Sequence, residues 1–187
     1  DRESLLEIMQ GPSLLASKLV DTNGASPFAI DMVHDDWLDD LQSFSWLRHF
    51  RDARTDEERS FARALVIDWI DRDGGFDTRI WGLSLTARRV LNWLRHFNIL
   101  VEGANPEDAR VITRALGTQI QSLKLRAPFA ESPEDGLMAS IALLGVALCD
   151  PDREAEVPAR VHAMNILLGR QIDEDGLHRS RSAKVQF

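Results

Sequence analysis

Capped helix starts recur along this chain, and they constrain its fold more than any other feature. Thr55-Asp56-Glu57-Glu58 has the residues of a capping box, in which the Thr hydroxyl and the Glu carboxylate bind N–H groups of the first turn. Three further segments place a polar cap before a proline, whose fixed φ suits the first helical position: Asn105-Pro106, Ser132-Pro133 and Asp150-Pro151. Ser84 precedes LTARRVLNWLRHF and is expected to cap that helix.

Apolar residues recur every three or four positions beside these caps, which is the spacing of a helix with one buried face. Two such sets are Trp37, Leu41, Phe44 and Leu47, and Val157, Val161, Met164 and Leu168. The segment LMASIALLGVALC, residues 137–149, carries no charge on any side. A helix that is apolar all round must be enclosed by others, so we expect this segment in an inner layer.

These patterns predict an all-α protein of about six to seven helices joined by short linkers. Short linkers make consecutive helices antiparallel neighbours, which is typical of an α-solenoid or of an α/α toroid. No fixed sequence period is present, so we favour an incomplete toroid. Residues 1–34 are expected to form a helix and an extended lead-in, and residues 35–187 the helical domain.

Composition excludes several classes of protein. The chain has 22 basic and 30 acidic residues, a net charge of −8, which argues against nucleic acid as a partner. Cys149 is the single cysteine, so an internal disulfide and a cysteine-based zinc site are excluded. The uncharged run 137–149 is shorter than the roughly 20 residues that span a bilayer, so no membrane span is predicted.

Motifs for a bound cofactor or metal are lacking. The sequence has no phosphate-binding glycine loop, no dinucleotide fingerprint and no nucleophile elbow. Four aspartates crowd the start of one predicted helix: Asp35, Asp36, Asp39 and Asp40. Consecutive positions on a helix turn do not converge on one point, so we assign these carboxylates to the favourable end of the helix dipole. We therefore predict no cofactor and no metal.

Two polar segments are candidates for ligand binding. Arg88, Asn92 and Arg95 form one stripe on a predicted helix, which faces either solvent or a cleft that would suit carboxylated ligands. In the tail, Asp175-Gly176 reads as a turn, and a small cationic cluster that includes His178 and Arg181 follows it. The tail is either a frayed basic end or an anion-binding segment, in which His178 would exchange protons near neutral pH.

Three segments together resemble a known family. WLDDLQSFSWLRHF, then Trp81 followed by SLTARRVLNWLRHF, and LLGRQIDEDGLHRSRS resemble, in order and spacing, the helical N-terminal domain of the bacterial heparinase II/III-like family. The resemblance covers the chain from about Trp37 onward. It implies an incomplete α/α toroid that leads, in family members, into a large antiparallel β-sandwich. This sequence holds no such sandwich, so we expect it to be a fragment of a larger protein.

The resemblance implies a polysaccharide lyase that cleaves uronic-acid chains, glycosaminoglycan-like or alginate-like, by β-elimination. That chemistry needs a neutralised uronate carboxylate, a base for the C5 proton and an acid for the leaving oxygen. In the family an Asn-His pair opens the apolar helix and a Tyr-His pair follows the tail motif, while a further His lies on the sandwich. This chain has Asp135-Gly136 and Val185-Gln186 at the first two places, and no tyrosine anywhere.

Carried over by position, the resemblance implies a role for six residues. His178 is expected to transfer a proton or donate a hydrogen bond, and Arg88 and Arg181 to bind carboxylate or sulfate groups. Asn92 is expected to contact sugar and Trp81 to stack on a sugar ring. Asp135 replaces an amide that meets the substrate carboxylate.

Three functional hypotheses follow. The first is the helical domain of a lyase of acidic polysaccharides, inactive by itself. The second is a non-catalytic carbohydrate-binding or scaffolding toroid that lost the lyase residues. The third is a general helical interaction domain, which would expose an apolar patch rather than a polar groove. A toroid cut short exposes an inner helix face, so self-association is expected. The compartment stays open between periplasm and cytoplasm.

Overall fold

The computed structural model describes residues 9, 12–13, 20–21, 26–29, 35–176 and 179, and these residues form an all-α fold. Its seven described α-helices are α1 (Asp35–Gln42), α2 (Asp56–Asp73), α3 (Leu83–Arg95), α4 (Phe97–Val101), α5 (Pro106–Arg126), α6 (Pro133–Cys149) and α7 (Val157–Gln171). Four short 3-10 helices accompany them: Pro27–Ala29, Ser45–Phe50, Ala127–Phe129 and Pro151–Glu156. Extended pairing among the described residues is one antiparallel contact of β1 (Pro12–Ser13) with β2 (Val20–Asp21). The predicted all-α class is confirmed.

Side-chain caps begin three of the long helices, as the sequence predicts. The Thr55 hydroxyl accepts from the Glu58 N–H at 3.2 Å and the Glu58 carboxylate accepts from the Thr55 N–H at 3.2 Å, which completes the capping box of α2. Asn105 accepts from the Asp108 N–H at 2.9 Å at the start of α5. These contacts satisfy N–H groups that have no partner within the helix itself.

Two predicted caps have a different outcome. Helix α3 begins at Leu83 rather than after Ser84, because the Thr86 N–H already donates to the carbonyl of Gly82 at 2.9 Å. The prediction of Ser84 as a cap is therefore wrong. Asp150 does accept from the Asp152 N–H at 3.1 Å, but the turn that begins there is a 3-10 helix, and α7 starts only at Val157.

Phe44 lies at the centre of an aromatic core that joins α1, α2 and α3. Its ring centroid is 5.2 Å from that of Trp46 and 5.4 Å from those of both Trp69 and Trp93, and all four side chains are buried. The backbone of Phe44 has φ of 61°, a left-handed conformation that costs a bulky residue on the order of 1–2 kcal/mol. This turn ends α1 and directs the chain into the 3-10 helix at Ser45–Phe50, and the packing of the ring offsets its cost.

Helix α6 lies between α3 and α7 and contacts both. Gly145 allows the close approach to α3, since a Cβ at this position would lie 3.1 Å from Cδ2 of Leu91. Ala139, Ala142, Leu143, Val146 and Ala147 are buried, which agrees with the inner position predicted for residues 137–149. Leu148, at the end of α6, is an exception and is 66% exposed. Closure of these helices into a toroid stays a prediction.

Candidate functional site

The start of α6 and the end of α7 meet at one end of the helix pair. The side-chain amide of Gln171 donates from Nε2 to the carbonyl oxygen of Pro133 at 2.6 Å, and Gln171 is 5% exposed. Ser132 caps α6 by accepting from the Asp135 N–H at 3.0 Å. The buried contact of Gln171 therefore holds the first turn of α6 beside the last turn of α7.

A cavity of about 330 Å³ lies at this junction, between the α5–α6 linker and α7. Its lining includes Ser132, Pro133 and Gly136 from the α6 start, and Leu167 and Arg170 from α7. Gly136 is buried, and a Cβ there would lie 3.4 Å from the Cβ of Ala130, so the start of α6 packs closely on the linker. The lining also includes Glu131, so the cavity combines a helix start with one exposed guanidinium and one exposed carboxylate.

The chain beyond α7 folds back on its end. Gly176 has φ of +79° and its N–H donates to the carbonyl of Asp173 at 2.9 Å, which confirms the turn predicted at Asp175-Gly176. The N–H of Arg179 donates to the carbonyl of Gln171 at 2.8 Å, and its guanidinium Nε lies 3.3 Å from Asp173 Oδ1. The turn and Arg179 line a second, open cavity of about 700 Å³ beside Ile172.

The predicted site residues are distributed unevenly over this region. Asp135 is half-buried in the first turn of α6, next to the cavity-lining Gly136. Arg88 is exposed on α3 and is not part of the cavity lining. His178 and Arg181, predicted for proton transfer and anion binding, lie outside the described residues.

The structure gives two of the residues expected to contact sugar, Asn92 and Trp81, contacts within the fold instead. The side-chain amide of Asn92 donates to the carbonyl of Ser43 at 2.9 Å and thereby fastens α3 to the end of α1. Trp81 is 3% exposed; its Nε1 donates to the carbonyl of Asp73 at 3.2 Å, and the Arg89 guanidinium lies 5.6 Å from its ring centroid. Its indole therefore belongs to the core and has no open face for a sugar ring.

Arg89 is the polar residue that sequence reasoning undervalued. It is 0% exposed and donates from Nε to Gln119 Oε1 at 2.7 Å, from Nη1 to the Gln42 carbonyl at 3.0 Å and from both terminal nitrogens to the Ile80 carbonyl at 3.1 Å. The signal was its spacing, because Arg89 lies four residues before the buried Trp93 and so on the same helical face.

Burial controls the electrostatics of this guanidinium. Desolvation lowers the pKa of Arg89 from its usual value to about 9, while the carboxylate of Asp73 acts in the opposite direction. Its centre lies 4.6 Å from the ring centroid of Trp69, so the π face of the indole partly replaces the lost water. Because the acceptors that Arg89 reaches, on Gln42, Ile80 and Gln119, are neutral oxygens of the same chain, we interpret this network as a tie between α1, α3 and α5 rather than as a ligand site.

Two groups at the α6–α7 junction are suited to binding an anion. Arg170 offers paired donors that match a carboxylate, and the start of α6 adds the positive end of a helix dipole. Within the described ranges, no three His, Cys, Asp or Glu side chains come together as metal ligands would. Over the same residues, no helix has both the length and the apolar composition needed to cross a bilayer.

Comparison with protein-family models, curated proteins and solved structures finds no match to this chain.

Proposed function

We propose that this chain is the helical domain of a heparinase II/III-like polysaccharide lyase, which contributes substrate contacts to the β-elimination of uronic-acid polysaccharides. The observation that carries the proposal is the Gln171–Pro133 hydrogen bond. It joins the start of α6, where Asp135-Gly136 stands at the family's Asn-His position, to the tail motif that begins at LLGRQIDEDG. Two sequence segments that the resemblance relates to one substrate cleft are therefore neighbours in space.

The charge at this junction supports an acidic ligand. Arg170 is exposed at the cavity, and the start of α6 presents the positive end of its dipole to the same space. Either feature would neutralise part of a uronate carboxylate, which is the first requirement for acidifying the C5 proton. The carboxylates of Glu131, in the lining, and of Asp135 oppose them, and Arg170 is the cation of this cavity that we assign to carboxylate binding.

The remaining chemical roles come from the resemblance. His178 would transfer a proton or donate a hydrogen bond, and Arg181 would bind carboxylate or sulfate; both follow the turn at Asp175-Gly176 in the sequence. A β-sandwich elsewhere in the full-length protein would supply the other catalytic groups. In this proposal the 187-residue chain binds substrate but does not turn it over alone.

The binding test uses alginate and heparin as probes in affinity electrophoresis. Arg170→Ala is expected to weaken retardation about tenfold, because a charge-assisted pair with a carboxylate is lost. The matched control is Arg51→Ala, since the Arg51 side chain is 76% exposed and does not line the cavity. Equal binding by Arg170→Ala and the unmodified chain would remove this site from the proposal.

A second function is favoured by one specific substitution. Asp135 places a carboxylate where the resembling family uses an amide to meet the substrate carboxylate, and it would repel that group rather than neutralise it, which suits a domain that lost the lyase chemistry. The two functions differ in turnover by the full-length protein. A rise in unsaturated-uronate absorbance supports the lyase, and its loss in His178→Ala would support the role of that histidine. Binding without any rise supports a non-catalytic carbohydrate-binding or scaffolding toroid.

A further inference from the structure

A second surface runs along α5, and it shares no lining residue with the cavity at the α6–α7 junction. We name it the Phe76 groove: an open depression of about 650 Å³ between α5 and the α2–α3 linker, whose lining includes Phe76, Arg114, Gly117, Leu125 and Arg126. Phe76 is 64% exposed and Leu125 is 63% exposed. Two large apolar side chains therefore face solvent in one depression.

The polar groups of the groove wall are largely used by α5 itself. The Thr118 hydroxyl donates to the carbonyl of Arg114 at 3.1 Å, and the Ser122 hydroxyl accepts from Arg126 Nη1 at 3.4 Å. Gly117 lacks a side chain, and a Cβ at this position would have nothing within 4 Å. The groove consequently offers apolar contact rather than the dense hydrogen bonding that a sugar chain requires.

Arginine side chains lie at the two ends of the groove. Arg114 and Arg126 are 12 positions apart on α5, which separates them by about 18 Å along the helix. The lining contains these two arginines and no acidic residue, on a chain whose net charge is −8. The Arg126 guanidinium donates to the Trp81 carbonyl at 2.6 Å and lies 5.5 Å from the Phe76 ring centroid, so it is held in place at its end.

From this arrangement we propose that the Phe76 groove binds an amphipathic helix of a partner protein, with an apolar stripe and acidic residues at both ends. About three helical turns fit the distance between the two arginines. The apolar stripe would pack on Phe76 and Leu125 over the gap left by Gly117, as helices do in apolar grooves. The acidic ends would pair with Arg114 and Arg126, which sets the register of the bound helix.

The test measures fluorescence anisotropy of a labelled peptide of about 16 residues, with leucines at helical spacing and glutamates at both ends. We expect saturable binding to the 187-residue chain that weakens as salt is raised. Gly117→Gln should reduce affinity about tenfold or more by filling the groove, and the open space around Gly117 lets the fold accept it. Thr113→Gln, on the same helix but not in the lining, is the matched control and should leave affinity unchanged.

A charge exchange makes the test specific. Arg114→Glu should weaken the glutamate peptide and strengthen a peptide in which the glutamate facing Arg114 is replaced by lysine. The proposal is overturned if the peptide fails to saturate by about 1 mM, or if Gly117→Gln and Thr113→Gln bind it equally. The proposal would also be overturned if alginate displaced the peptide equally well from the unmodified chain and from Arg170→Ala. That result would assign the groove to sugar binding.

Discussion

The Nε atom of Arg89 lies 2.7 Å from Oε1 of Gln119, in a part of the core where both side chains are 0% exposed. This contact ties α3 to α5, and the other Arg89 donors reach the carbonyls of Gln42 and Ile80. One guanidinium thus satisfies acceptors from three separate segments of the chain. Its neighbour Arg88 is exposed, which provides an internal control for every experiment on Arg89.

Replacing Arg89 by methionine is expected to lower the free energy of unfolding by about 3 kcal/mol, because buried oxygens lose their donors. Arg88→Met, one residue away on the exposed side of α3, should change it by less than about 0.5 kcal/mol. Urea unfolding of the two variants measures the difference. Equal stabilities would show that the Arg89 network does not contribute to the fold.

Gln119→Glu is expected to keep the stability of the unmodified chain, whereas Gln119→Leu should lower it by about 2 kcal/mol. The Gln119 Nε2 atom is buried and has no hydrogen-bond partner among the described residues. In Gln119→Glu a carboxylate oxygen replaces this unsatisfied donor, and the carboxylate pairs with the buried guanidinium of Arg89. Thermal unfolding compares the two variants. A glutamate variant as unstable as the leucine variant would contradict this account.

His96 should make the fold sensitive to mild acid. Burial, followed by the charges of Arg95 and Arg51, lowers the pKa of His96 below its usual 6.5 in the folded state. Below pH 6.5 the unfolded chain therefore binds more protons at this site than the folded chain does. The contribution of His96 to the free energy of unfolding is complete above that pH and is lost as the pH falls toward the folded-state pKa. His96→Asn should show a shallower decline of unfolding free energy between about pH 7 and pH 5 than the unmodified chain. Identical slopes would exclude this residue as the cause.

A branched side chain at Gly145 should lower the free energy of unfolding. Gly145→Val is expected to cost about 1–3 kcal/mol, because a Cβ would already lie 3.1 Å from Leu91 at the contact between α3 and α6. Gly117→Val makes the same exchange at a helix position with open space around it and should leave the free energy of unfolding nearly unchanged. Chemical denaturation of both variants checks the difference, and similar costs would mean that helix propensity rather than packing explains the glycine.

The exposed apolar residues near α7 predict self-association. Leu168 is 40% exposed and Ile172, four residues later, is 37% exposed, while Leu148 at the end of α6 is 66% exposed. We expect light scattering after size-exclusion chromatography to give a mass above 21.1 kDa that falls toward that value in Leu168→Lys. A clean monomer at high concentration would contradict the prediction.

Local features of the fold were predictable from the sequence. The caps at Thr55, Asn105 and Ser132 act over three residues through hydrogen bonds within one turn, so residue type and spacing were sufficient to predict them. The turn at Asp175-Gly176 was predictable for the same reason. The start of α3 was not, because the Gly82 carbonyl competes for the Thr86 N–H one position before the predicted cap.

The sequence by itself determined the all-α class, the caps of α2, α5 and α6 and the inner position of most of residues 137–149. Only the tertiary structure decided which arginine of the Arg88-Arg89 pair enters the core and that Trp81 is covered rather than open to a ligand. It also brought Gln171 to Pro133 across 38 residues of sequence. Such outcomes depend on which helix faces which, and that choice is made by the packing of the whole core rather than by any local pattern.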